Sequence, residues 1–285
     1  MSPRASSRAT RRRACRRTRR TPSTKCLRRS WASSSIRADS ASRGCAVDID
    51  QQIARIGIDA EGLARAAETG PLDAAVPTCP DWDVETLLRH IGSVHRWAAA
   101  IVRERRVDRP QRGLDGPSER GALLDWYRAG YRVLMAALEG ASPEDEFWFW
   151  GPAPNALAFW SRRQANETAV HRRDAESARG AITPLTTRDA LDALDEWLGL
   201  AALRAQADDG RGRIIRFIPT DGDGTWCVAL GERVEVIRDL GRGDCELTGR
   251  ASDLFLWSMN RRDAGGIDVS GDATLLRVWA DNMRF

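Results

Sequence analysis

The stretch NETAVHRRDAE, Asn166 to Glu176, decides how this chain is read, because it sets Glu167 and His171 one helical turn apart in a sequence with three histidines. At about 100° per residue the two side chains stand about 40° apart on one helix face. Trp160, Gln164, Val170 and Asp174 fall in the same sector, which mixes polar and apolar residues where a core stripe is apolar. A carboxylate and an imidazole buried there are costly unless they pair with each other or bind a cation. The face reads either as an ion pair turned to solvent or as part of a metal site.

The other two histidines lie in PTCPDWDVETLLRHIGSVHRWAAAIVRE, Pro77 to Glu104, a helix for which Asp83 is the expected N-cap. His90 shares its sector with Leu87, Val94, Trp97 and Ile101 and is predicted to face the core. His95 is about 140° away, near Glu85, so the two histidines are not expected to share one interior site. A core-facing His90 on one helix, with Glu167 and His171 on another, makes a two-histidine, one-carboxylate set with an open coordination position. That arrangement suits a catalytic rather than a closed structural metal. Asp174, three residues after His171, is placed to orient its imidazole, and Gln164 is a further candidate for support from behind the ligands.

Outward from these two segments the chain reads as helices and then strands. Ile49, Ile53 and Ile56 stripe a first helix that stops at Gly70 and Pro71. PSERGALLDWYRAGYRVLMAALEG gives a third, with Ser118 as expected cap, Gly140 as stop, and Leu124, Tyr127, Tyr131, Leu134 and Leu138 on one face. The loop EFWFWGPAPN leads to the fourth, about Ala156 to Arg179. Four amphipathic helices in succession predict a bundle. After a helix around DALDALDEWLGLAALRAQA, the segments RIIRFIP, TWCVALG, RVEVIRD, CELTGRA and IDVSG read as strands, and ASDLFLWSMNRR and ATLLRVWADNM as helices. TDGDG is a hairpin turn rather than a calcium loop, since it lacks the twelve-residue ligand spacing. The expectation is an α+β protein of two domains, 47–185 and 186–285, behind a tail of residues 1–46.

Composition narrows the function. The six cysteines show no CxxC spacing, so neither a disulfide framework nor a cysteine-built zinc site is expected. No run of apolar residues is long enough to span a membrane, and a cytoplasmic, monomeric protein is expected. Of 44 Arg and Lys residues, 14 lie in residues 1–45 beside one acid, Asp39, so the remainder is net acidic. The Arg- and Ser-rich tail has no apolar periodicity and is expected to be disordered. Such a tract suits a nucleic-acid-binding arm or a presequence, but Lys25 is the only lysine against 43 arginines. That bias points to a GC-rich genome and to sequence upstream of a misassigned start, so no nucleic-acid partner is expected.

VPTCPDWDVETLLRHIGSVHRW (Val76 to Trp97) followed by NETAVHRRDAE resembles the mycothiol-dependent maleylpyruvate isomerase family. The resemblance continues through ELTGRASDLFLWSMNRRDA and IDVSGDATLLRVWADN, and so covers about residues 47–285. It implies a DinB/YfiT-like four-helix bundle followed by a small α+β domain of sterol-carrier-like fold. It also implies a divalent metal, zinc by expectation, on His90, Glu167 and His171, with mycothiol as thiol cosubstrate and a small-molecule substrate. His95 matches a frequent family residue and is read as surface or as support to the ligands. The implied reaction is addition of an activated thiol to a conjugated double bond, giving cis-trans isomerisation on expulsion or thiol transfer if the adduct is kept. Arg261 of MNRRDA is the candidate clamp for substrate carboxylates, against the alternative of an ordinary surface arginine. Cys79 is a candidate nucleophile, against a buried packing thiol. The reading from another class is a non-catalytic metal- or small-molecule-binding regulator of the same fold.

Overall fold

Each of the four N-terminal helices begins where a side chain accepts a hydrogen bond from an otherwise unpaired backbone N–H. The structure, a computed structural model, describes residues 48–113, 116–238 and 241–283, so the Arg-rich tail lies outside the described residues. Asp48 caps α1 (Ile49–Glu68), Asp83 caps α2 (Val84–Arg103) and Asn155 caps α4 (Ala156–Ser177). The expected cap of α3 (Arg120–Glu139) was Ser118, but Glu119 takes the role, accepting from the N–H groups of Gly121 and Ala122. A carboxylate there also gains from the helix dipole, which a serine hydroxyl does not. Gly140 follows α3 as expected, and the fourth helix ends two residues short of Arg179, before Gly180 turns the chain at φ +80°.

The four helices pack side by side, α1 against α3 and α4, and α2 against α3 and α4. Their shared core holds Ile56, Leu63, Leu87, Leu88, Ile91, Leu123, Tyr127, Leu134 and Trp160. The stripe expected on α3, Leu124 to Leu138, is buried throughout. Helix α4 differs from the others: Arg163, Gln164, Asn166, Thr168, His171, Arg173 and Asp174 are buried along with its apolar residues. Its polarity is explained by its position, since Ala169 and Val170 already belong to a second core on its other side.

That second core is built on α5 (Thr187–Arg204), β1 (Ile214–Pro219), β2 (Trp226–Ala229), β3 (Glu235–Arg238), β4 (Cys245–Gly249), α6 (Ala251–Ser258), β5 (Asp268–Gly271) and α7 (Thr274–Asn282). The sheet order is β3-β2-β1-β4-β5, with β1 and β4 parallel and the other neighbours antiparallel. Thr220 to Gly224 turn β1 into β2, as read from TDGDG. Strand β1 buries alternate residues, Ile215 and Phe217 among them, and Phe217 packs on Trp257 and Trp279 of α6 and α7. Among the described residues no helix is long and apolar enough to cross a membrane.

Candidate metal centre

Two helices deliver the candidate ligands. His90 is in the second turn of α2, and Glu167 and His171 are successive turns of α4. Glu167 Oε1 lies 3.4 Å from His171 Nε2 and 3.8 Å from His90 Nε2. One ligand atom from each residue falls within 4.8 Å of the others. The two imidazoles meet edge to face at 5.0 Å between centroids. The loop before α2 closes one side: Asp81, in a left-handed conformation that aspartate tolerates, turns the chain so that Trp82 lies 4.7 Å from the His90 ring and 6.1 Å from the His171 ring.

Behind His171 stands Asp174, fully buried, its Oδ2 2.9 Å from His171 Nδ1. Thr78 Oγ1 donates to Asp174 Oδ1 at 2.6 Å, and Arg261 donates to both carboxylate oxygens, at 3.0 and 3.3 Å. Arg261 reaches α4 because α6 ends in a Schellman turn. Asn260 adopts φ +57°, the Asn260 N–H bonds Trp257 O, and the Arg261 N–H bonds Leu256 O at 2.8 Å. Trp197 and Trp279 both donate their indole N–H to Ser258 O, fixing the end of that helix.

Burial opposes charge throughout this cluster, and the neighbours overrule it. Arg163, with the nearby imidazoles of His171 and His90, holds Glu167 well below the usual carboxylate range despite desolvation. Asp174 is likewise lowered against burial, by His171 and Arg261. Desolvation disfavours a charged His171, but Asp174 and Glu167 outweigh it and raise its pKa to about 9. His90 is lowered by burial, and the charge on His171 adds to that. An ionised Asp174 is an acceptor only, so His171 Nδ1 is the donor and Nε2 is the atom turned toward Glu167. Two imidazole nitrogens and an ionised carboxylate oxygen converging in a partly dry site form a donor set that fits a divalent ion such as zinc.

The other sequence candidates fall in different places. His95, read as surface or as support to the ligands, is fully buried and so is not a surface residue: it belongs to the row Val84, Leu88, Ile91, His95, Ala98, Val102, along which α2 is covered by neighbouring helices. The stripe centred on His90 was too narrow, because α2 is enclosed on two sides and His90 sits at the edge of the buried arc, half-buried. The Thr168 hydroxyl donates to Gln164 O, so His95 Nε2 donates to Thr168 Oγ1 at 2.9 Å and Nδ1 is left a bare acceptor. Burial lowers its pKa to about 3, which keeps it neutral. Gln164 is also buried, with Oε1 unpartnered, and does not bond the three ligand residues. Cys79 packs beside Arg261 Nη2 at 3.4 Å, and burial raises its thiol to about 12, the state of a packing thiol. Arg261 is not an ordinary surface arginine: it is engaged with Asp174, Met259 O and Cys79. Sequence reasoning did not single out Trp82, Thr78, Arg163 or Glu196. Trp82 and Thr78 lie inside the motif PTCPDWD that drew attention to the region, so adjacency to it was the available signal.

These features define an α+β protein whose helical N-terminal part gathers two histidines and a glutamate at one partly buried centre, braced by residues from its C-terminal part. Residues 53–176 match the family model of the mycothiol maleylpyruvate isomerase N-terminal domain. Over that segment the chain is similar to the mycothiol maleylpyruvate isomerase N-terminal domain. Among solved structures it is similar to the mycothiol-dependent maleylpyruvate isomerase, with a TM-score of 0.51, and to a histidine-to-alanine mutant of that protein, with a TM-score of 0.53. Each is 12% identical, and each comparison covers 79% of this chain and 94% of the other. Those likenesses establish the fold, and they extend beyond the segment that the family model matches. No curated protein sequence matches the chain.

Proposed function

We propose that this protein is a mycothiol-dependent metalloenzyme that adds an activated thiol to an electrophilic small molecule, as a cis-trans isomerase or a thiol transferase. The observation that carries the reading is the convergence of His90, Glu167 and His171 within 4.8 Å, with Asp174 fixing the His171 ring. Those three residues would hold a divalent ion, which would supply Lewis acidity that favours a thiolate over a thiol at neutral pH.

The chain's own residues perform the rest. Asp174 holds the proton on His171 Nδ1 and keeps Nε2 facing the centre. Glu167 contributes a negative charge that offsets the cation, and Trp82 walls the imidazoles from water on one side. Arg261 brings a positive charge from the C-terminal part and shares it with Asp174, so it serves first to fix the carboxylate behind His171. When a thiolate adds to a conjugated carbon, the double-bond pair moves onto the neighbouring carbonyl and the bond becomes free to rotate. Collapse of that pair expels the thiolate and leaves the rearranged alkene; protonation of the adduct instead leaves a thioether. Assays of the purified protein on maleylpyruvate and on a panel of electrophiles, with and without mycothiol, test the proposal. Thiol-dependent turnover that is lost on chelation is expected, and turnover indifferent to thiol contradicts it.

A further inference from the structure

The two oxygens of Glu167 have different surroundings. Oε1 faces the histidines, whereas Oε2 accepts from Arg163 Nη2 at 2.5 Å. Arg163, one turn earlier on α4 and 9% exposed, uses its other terminal nitrogen to donate to Glu196 Oε2 at 2.8 Å. Glu196 is 7% exposed, is also held by Asn166 Nδ2 at 3.0 Å, and stands on α5, outside the segment 53–176 that the family model matches. A buried arginine and glutamate are weak contributors to stability, since apolar residues of similar volume commonly do as well. A guanidinium that gives one nitrogen to each of two carboxylates, however, ties the position of one to that of the other through two charge-assisted hydrogen bonds.

We propose that Arg163 and Glu196 are positioning residues that make Glu167 a one-oxygen ligand. Arg163 occupies Oε2, so only Oε1 is presented between the imidazoles, and the coordination position a second oxygen would fill stays open to a small molecule. Glu196 shares the guanidinium charge, which limits how far Arg163 neutralises the ligand it orients. Because Ala190, Ala193, Leu194, Trp197 and Leu198 of α5 pack into the second core, the ligand geometry depends on how the C-terminal part is packed. The inference rests on the metal reading proposed above.

The test uses the full chain carrying Arg163→Met, Arg163→Lys, Glu196→Gln and the double change Arg163→Met with Glu196→Gln, which removes one buried charge of each sign together. Zinc affinity is measured by competition with a chromophoric chelator, the cobalt-substituted spectrum reports coordination number, and crystals of metal-free protein show where Glu167 sits. Arg163→Met is expected to weaken zinc binding about 10- to 100-fold and to move the cobalt spectrum toward higher coordination as Oε2 becomes free. Arg163→Lys restores part of the affinity. Glu196→Gln weakens binding less, and adds nothing in the Arg163→Met background because it acts through Arg163. In metal-free crystals of the double variant the Glu167 carboxylate is expected to leave His171 Nε2. A double variant that binds zinc within about twofold of the unaltered chain, with an unchanged cobalt spectrum and Glu167 still seated, overturns the proposal. If the unaltered chain binds no divalent metal, the proposed function fails by itself. The metal-free crystals then decide this inference, displaced carboxylate supporting it and unmoved carboxylate overturning it.

Discussion

Asp174 Oδ2 lies 2.9 Å from His171 Nδ1, and that one bond determines which nitrogen of His171 faces Glu167. Asparagine at 174 can offer either an amide oxygen or an amide NH2 to Nδ1, so the tautomer is no longer imposed. Asp174→Asn is expected to weaken zinc affinity about 10- to 100-fold while the circular dichroism spectrum is unchanged. Affinity within about twofold of the unaltered chain would show that the ring is oriented by something else.

The three histidines are expected to separate by role. His90→Ala and His171→Ala each remove stoichiometric divalent metal, read by elemental analysis. His95→Ala retains it, because His95 bonds Thr168 and none of the three ligand residues. It should instead cost about 2–4 kcal/mol of unfolding free energy in urea, from the cavity and the lost hydrogen bond. An emptied site in His95→Ala with normal stability contradicts this division.

Two opposed pH dependences follow from His171, whose pKa in the metal-free fold is about 9. A folded pKa raised above the unfolded value of about 6.5 stabilises fully below that value, and the contribution disappears as pH rises through about 9. Protein stripped of metal should therefore lose melting temperature between about pH 6.5 and 9. Zinc must displace the same proton, so its apparent affinity should rise about tenfold per pH unit over that window and level off above it. His171→Gln should abolish the fall in melting temperature. An affinity flat across the window would mean that no proton is displaced from the ligands.

The fold was legible where periodicity and caps agree. The stripes of α1 and α3, the Asp83 cap of α2, the TDGDG hairpin and the five strands all follow from local pattern. So did the juxtaposition of His90 with Glu167 and His171, because His90 needs only to project from α2 toward α4. What failed depends on enclosure. His95 was misplaced because α2 is covered over more than one stripe, a tertiary fact that a single helical wheel does not carry. Arg163 and Glu196 were invisible because α4 reads as too polar to be buried, and only the second core beyond it explains why its arginines turn inward. Arg261 was noticed, but its engagement with Asp174 depends on the left-handed Asn260 and was not readable from MNRRDA.

A chain beginning at Val47 keeps the Asp48 cap of α1. Such a chain is expected to match the full-length protein in melting temperature, metal content and turnover. A clear deficit in any of the three would assign residues 1–46 a part in the folded protein.

The central claim, a thiol-activating metal centre, is tested most directly by titrating cobalt-substituted protein with mycothiol. A sulfur-to-cobalt charge-transfer band should grow to saturation at one thiol per metal, and should be absent from His90→Ala and His171→Ala. A spectrum unchanged at saturating mycothiol, in protein that still holds one cobalt per chain, would contradict the account.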